Sequence, residues 1–444
     1  MKNSALESSK KYTNTKYKRK IKMFFEISDR IKELSKVALE KATPVFKGID
    51  ELTEYNQQKV LSAFIRNRVD ETDFNTSTGY GYGDKGREKL DQLTADIFGA
   101  ESAIIRAGAL ASGTHTLAVC LYGILRPGDT MLCVTGAPYD TLHSTIGLGG
   151  KNMGDGTLLD FGVTYQQIDL TENDEIDYES IENAASDKDV RMVYIQRSRG
   201  YSLRHTISIE EIKKVCEIVH RVNKRAIVMV DNCYGEFTEK LEPTEVGADL
   251  IAGSLIKNAG GGIAACGGYI AGRKDLVELC GYRLTTPGLG TEVGATLGQN
   301  RSVFMGLFNA PHVVGEALKT AVFAASLFTE IGFKVTPEVN ETRHDIIQAI
   351  CLENPENLIA FCQGLQKGAP VDSYVTPEPW DMPGYDNQVI MSAGAFTSGS
   401  SIELSADAPL REPFAVWMQG GLNFHSGKLG VMLAAEEMLK RGLI

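Results

Sequence analysis

The feature that most constrains the fold is an alternation that starts near Glu101: short apolar runs, each followed by a stretch of helical period. SAIIRA precedes a helical stretch near Thr114–Leu125, and TMLCV comes next. MVYI precedes a helix expected to start at Ser208, with Glu211 three residues on in capping-box spacing. That helix repeats apolar residues at Ile209, Ile212, Val215, Cys216 and Val219, so one face should be buried. AIVMVD, DLIAGS and GGYIAG read as three further strands. Units of this kind pack around a largely parallel sheet, which makes the fold class α/β.

A length of 444 residues exceeds one ordinary core. We expect a basic, disordered leader over 1–22, an N-terminal helical arm over 23–70, a large domain over 71–310 and a C-terminal α/β domain over 311–444. Met23 should open the helical arm, and a long helix from about Pro311 to Thr329 should lead into the second domain. The stretch TTPGLGTEVGATLGQ reads as an ordered loop.

Charge and composition exclude several function classes. With 46 Lys+Arg against 57 Asp+Glu, the net charge of −11 argues against nucleic acid or an anionic membrane as partner. No apolar stretch reaches the ~18–20 residues of a membrane span; Ser102–Leu125 is broken by Arg106 and His115. The leader carries eight Lys/Arg and no apolar segment behind them, unlike a secretory signal. The eight cysteines show neither CxxC nor zinc spacing, as in a reducing cytoplasm, and no metal site is expected.

Two residues carry the strongest chemical signal. Asp231 ends an apolar run, where ligands bind in α/β sheets, and Lys257 follows 26 residues later inside SLIKNAGGG. A lysine can hold the aldehyde of pyridoxal 5'-phosphate (PLP) as a Schiff base, and a carboxylate can keep its pyridine nitrogen protonated. Such a lysine needs a dry, partly cationic setting that lowers its pKa, and glycines 260–262 would let backbone approach the ring. Ser112-Gly113-Thr114 before a helical stretch is a phosphate cradle or a plain N-cap. Tyr139 is a stacking ring or a packing residue, and Ser254 a phosphate ligand or a turn serine. Arg411 or Arg199 could clamp a carboxylate, or serve as an ion-pair partner. His115 reads as a satisfied helix histidine. GYGYGDKG contains GxGxxG at Gly81, Gly83 and Gly86, but the polar stretch before it is no strand, so the dinucleotide reading fails. A loop that brings Tyr80 or Tyr82 to a ligand fits better.

Taken in chain order, GYGYGDKGREKLD, AGALASGTHT, GDTMLCVTGAPYDTL, VYIQRSRGYSLR, VDNCYGEF, AGSLIKNAGGGIA and LREPFAVWMQGG give the chain a likeness to a known group. It resembles the fold-type-I PLP-dependent transferases of cysteine and methionine metabolism, nearest the methionine γ-lyase and cystathionine β-lyase relatives called aluminium-resistance proteins. The resemblance implies that Lys257 binds PLP and moves protons, Asp231 pairs with the pyridine nitrogen, and Tyr139 stacks on the ring and belongs to the catalytic set. It assigns Ser112, Gly113, Thr114 and Ser254 to the phosphate, and gives Tyr82 to the neighbouring subunit's site in a homodimer or homotetramer. The implied activity is a carbon–sulfur lyase performing β- or γ-elimination on a sulfur-containing amino acid, with Arg411 a candidate for the substrate carboxylate. Rival expectations are an aminotransferase, decarboxylase or aldolase on the same scaffold, or a low-turnover stress-resistance protein. The chain departs from the better-known lyases in three places: GYGYGD stands for YSR, Thr141 often for cysteine, and Glu403 close to where arginine is expected.

Overall fold

The computed structural model describes residues 24–150, 154–382 and 387–444; the basic leader over 1–22 lies outside the described residues. Helix α1 (Asp29–Arg66) forms the N-terminal arm. It starts later than Met23 because Ser28 caps it, Oγ accepting from Ile31 N at 3.3 Å. Phe24 is left outside the helix and exposed.

The large unit then runs α2 (Lys85–Ile97), β1 (Ser102–Arg106), α3 (Gly113–Ile124), β2 (Thr130–Cys133), α4 (Asp140–Ile146), β3 (Thr164–Gln167) and α5 (Tyr178–Ala185). It continues through β4 (Val190–Gln196), α6 (Ile209–Val222), β5 (Ile227–Asp231), β6 (Leu250–Ser254), β7 (Gly268–Gly272) and α7 (Lys274–Leu284). Seven strands lie in the order β1-β7-β6-β5-β4-β2-β3. Strands β2 to β6 pair in parallel, and β7 runs against both β6 and β1. The sheet is therefore mostly parallel, and each apolar run named above became a strand. Strand β3 (TYQQ) gave no such signal, because it is a mostly exposed edge strand with no apolar run to read. The capping box of α6 is present: Ser208 Oγ accepts from Glu211 N at 3.2 Å, and Glu211 Oε2 accepts from Ser208 N at 2.8 Å.

Helix α8 (Asn300–Ile331) joins the two units and starts well before Pro311, which lies inside it. The proline masked a helical period already present in the buried Val303, Phe304, Leu307 and Ala310. These residues pack in the core of the large sheet, whereas Phe323, Leu327 and Phe328 of the same helix pack in a second core. The second core belongs to β8 (Lys334–Thr336), β9 (Gln348–Cys351), α9 (Pro355–Gln366), β10 (Val389–Ser392), β11 (Ser405–Pro409), β12 (Ala415–Gln419) and α10 (Phe424–Lys440). Its sheet is antiparallel throughout, in the order β10-β11-β12-β9-β8. No helix among the described residues is long and apolar enough to cross a membrane.

The turn that follows β6 is held from both sides. Asn258 donates to the Glu236 carbonyl oxygen at 3.0 Å, and α8 lies so close that Gly306 meets the Gly260 carbonyl with no room for a Cβ. Replacing Gly306 with alanine should therefore cost about 1–3 kcal/mol, because the opposing atoms are backbone and cannot rotate away. In denaturant titration Gly48→Ala serves as the contrast. An added Cβ there meets nothing within 4 Å in the exposed middle of α1, so it should be neutral or stabilising by about 0.5–1 kcal/mol. Equal effects of the two changes would refute the close approach.

Candidate active site

Parallel pairing places the carboxyl ends of three neighbouring strands side by side: Gln196 closes β4, Asp231 closes β5 and Ser254 closes β6. Gln196 is the register partner of Asp231, and Asp231 of Ala252. All three strand ends open on a chamber of about 230 Å³ that Gly113, Thr114, Tyr139 and Lys257 also line. Six of the nine residues assigned to the site from sequence, Lys257 among them, thus share one cavity.

Asp231 is buried at the chamber floor. Its Oδ1 accepts from Cys233 N at 3.1 Å, Oδ2 makes a long contact of 3.4 Å with the Tyr194 hydroxyl, and the Cys233 thiol also bonds the carboxylate. Burial raises its pKa, against the lowering effects of Cys233, Lys257 and Tyr194. This is an acceptor with capacity to spare, as a pyridinium N–H requires.

Lys257 follows β6 in a tight turn, its N–H donating to Ser254 O at 3.3 Å. It is half-buried, and Nζ sits 3.6 Å above the centre of the Tyr234 ring. The expected cationic setting is corrected here. Burial works against the ammonium, but Tyr234, Cys233 and Asp231 outweigh it and raise the amine's pKa. The side chains around Lys257 therefore favour its ammonium form. Glycines 260–262 are corrected as well. They do not line the chamber; a Cβ at each would strike Leu255 O, Gly306 O or the Leu422 side chain. They serve the packing of the turn, not the approach of a ring.

At the N-terminus of α3, Gly113 and Thr114 face the chamber, and a Cβ on Gly113 would lie 3.2 Å from Ser254 Cβ. Thr114 Oγ1 and Thr141 Oγ1 are 2.8 Å apart. Ser112 does not line the chamber: its Oγ caps α3 by accepting from His115 N at 3.1 Å. His115 Nδ1 accepts from Ala111 N at 3.0 Å, the satisfied helix histidine that was expected. Tyr139 stands at the head of α4 with its ring centre 6.0 Å from that of Tyr201, which in turn lies 5.5 Å from Trp417.

Three candidates lie elsewhere. Arg411 is exposed in the turn between β11 and β12 and does not line the chamber, which removes it as the carboxylate clamp of this cavity. Arg199 is buried and spends its guanidinium on Thr336, at 3.0 Å to the carbonyl oxygen. Tyr82 is 63% exposed and stacks on Tyr80 with ring centres 5.7 Å apart, on a loop held by Arg87 through Gly81 O and Gly294 O. Glu403 is buried and accepts from Phe396 N and Thr397 N, each at 2.9 Å; it braces a loop. Sequence reasoning missed Gln196, Tyr234, Asp407 and Trp417, all in the chamber wall. Asp407 sits in SADAP, a strand of small residues with no pattern that marks an inward-facing carboxylate.

The donor set suits PLP: an under-satisfied buried carboxylate, an amine, an aromatic ring, and a helix N-terminus with neutral hydroxyls beside it for a phosphate. Among the described residues no three metal-ligating side chains cluster.

The chain is similar to several known proteins over most of its length. An uncharacterised protein of Bacillus subtilis, YnbB, is 45% identical over 415 residues, 93% of this chain and 98% of its own length. A crystal structure of a carbon–sulfur lyase involved in aluminum resistance from Clostridium novyi NT matches with a TM-score of 0.89 and 49% identity, over 93% of this chain and 96% of that one. The PLP-dependent protein YhfS of Escherichia coli shares the fold at 15% identity and a TM-score of 0.61, over 88% and 97% of the two chains. The methionine gamma-lyase family pattern matches residues 31–439, and the chain belongs to that family.

Proposed function

We propose that the protein is a PLP-dependent carbon–sulfur lyase that eliminates a thiol from Cβ or Cγ of a sulfur-containing amino acid. The observation that carries this reading is the convergence of Lys257 and Asp231 on one chamber with the α3 N-terminus and Tyr139. Bound PLP supplies an electron sink that makes the substrate Cα–H acidic. Asp231 Oδ2 would hold the pyridine nitrogen, and Gly113, Thr114 and Ser254 the phosphate, with Ser112 acting on it through the shape of the helix cap. Tyr139 would cover the ring face. Lys257 Nζ would take the Cα proton and return it on the leaving side; Tyr234 beneath it keeps the amine at that wall. All eight cysteines are free thiols, which suits a reducing cytoplasm.

The test is product analysis of PLP-loaded protein with cysteine, cystathionine, methionine and homocysteine. Elimination releases a 2-keto acid, ammonia and a thiol without an amino acceptor. Asp231→Asn should keep the fold and lose about a hundredfold or more in turnover. Release of product only when an amino acceptor is added, or full activity in Asp231→Asn, would overturn the reading.

We further propose that subunits pair so that the exposed Tyr82 loop reaches the partner's phosphate site, in a dimer or a pair of dimers. Lys257→Ala and Tyr82→Ala should each be inactive alone. Mixed under subunit exchange, they should regain turnover, because some dimers then hold one complete site. A mixture that stays inactive while exchange is verified would contradict the shared site.

A further inference from the structure

The chamber wall has a second buried acid that the elimination does not use. Asp407 lies on β11 opposite Trp417 of β12 and is 2% exposed. Its Oδ2 accepts from the Tyr201 hydroxyl at 2.9 Å and from Ser400 Oγ at 3.1 Å. Its Oδ1 accepts no hydrogen bond of sound geometry, since the neighbouring Gln419 amide donates to Ser405 Oγ at 2.9 Å. Trp417 is its cross-strand neighbour and Tyr201 its hydrogen-bond donor, and both residues line the chamber.

Charge in the chamber is unbalanced. Lys257 is its lone cationic lining residue among those described, against Asp231 and Asp407, and no arginine lines it. PLP would engage Lys257 and leave Asp407 without a cation. A buried carboxylate with an idle oxygen, in a wall that also carries two aromatic side chains, matches the needs of an ammonium group: a charged acceptor with aromatic rings near it. A substrate α-carboxylate placed there would be repelled.

On the lyase reading, which this inference deepens, we propose that Asp407, with Tyr201 and Trp417, binds an ammonium carried on the sulfur side of the substrate. The enzyme thereby prefers sulfur amino acids with a cationic tail over those with a neutral one such as methionine. Asp407 is a specificity-determining residue and takes no part in the proton transfers.

The test uses two probes of equal length that differ in one terminal group, S-(2-aminoethyl)-L-cysteine and S-propyl-L-cysteine. Both are titrated into the PLP-loaded full-length protein by calorimetry, and 2-keto acid release is followed in parallel. The aminoethyl probe should bind at least about tenfold more tightly, the usual scale for a hydrogen bond to a charged group. In Asp407→Asn the ratio should fall to about one, and Asp407→Ser gives the same ratio should the asparagine variant fail to fold. Equal binding by the unaltered protein, or a preference that survives in either variant, would overturn the proposal. Preference in binding with no keto acid from either probe would sink the lyase reading and leave this subsite standing; keto acid release without preference would do the reverse.

Discussion

The parallel ladder of β4, β5 and β6 is the constraint on which the site depends. Residues 26 apart in the chain, Asp231 and Lys257, meet because the register Gln196 to Asp231 to Ala252 aligns the strand ends to within a residue or two. Neighbouring strands lie about 4.8 Å apart, so three adjacent ends span the width of one aromatic ring and its substituents. Helix α3 points its N-terminus at the same edge. A slip of one residue in β5 would turn Asp231 to the opposite face of the sheet and end the arrangement.

The electrostatics follow from that geometry. Asp231 and Asp407 are buried carboxyls whose pKa burial raises, and each is partly offset by the charge of Lys257. Burial works against the charged form of Lys257, and Tyr234, Cys233 and Asp231 raise its pKa in return. The charge of Lys257 thus favours the ionised form of both acids in the protein alone. A ligand that consumes the lysine's charge disturbs both acids, Asp231 at the floor and Asp407 in the wall.

Much of this was legible in the sequence, and the failures have physical causes. Runs such as AIVMVD and DLIAGS are buried on both faces, so they stand out as strands, whereas TYQQ lies exposed at an edge and carries no such mark. Helix α8 was cut short because Pro311 looked like a start; burial of the turns on either side of it stabilises the helix across the proline. Lys257, Asp231, Tyr139, Gly113, Thr114 and Ser254 could be singled out and do share one chamber, because each is defined by local position relative to a strand end or a helix start. Asp407 and Trp417 were not, since they reach the chamber from the other sheet by a tertiary packing that no local pattern encodes. The same limit misplaced Arg411: residue type pointed to a carboxylate clamp, but the β11–β12 turn faces outward. The glycines after Lys257 were assigned to a ligand and belong to the packing of α8 and Leu255.

The central claim is that one amine and one acid in this chamber hold the same cofactor. Borohydride reduction of the PLP-loaded protein, followed by proteolysis and mass spectrometry of the pyridoxyl-labelled peptides, tests it most directly. The account predicts a single labelled site at Lys257, with labelling lost in the Lys257→Ala protein. A label on another lysine, or none on a protein shown to retain PLP, would contradict it.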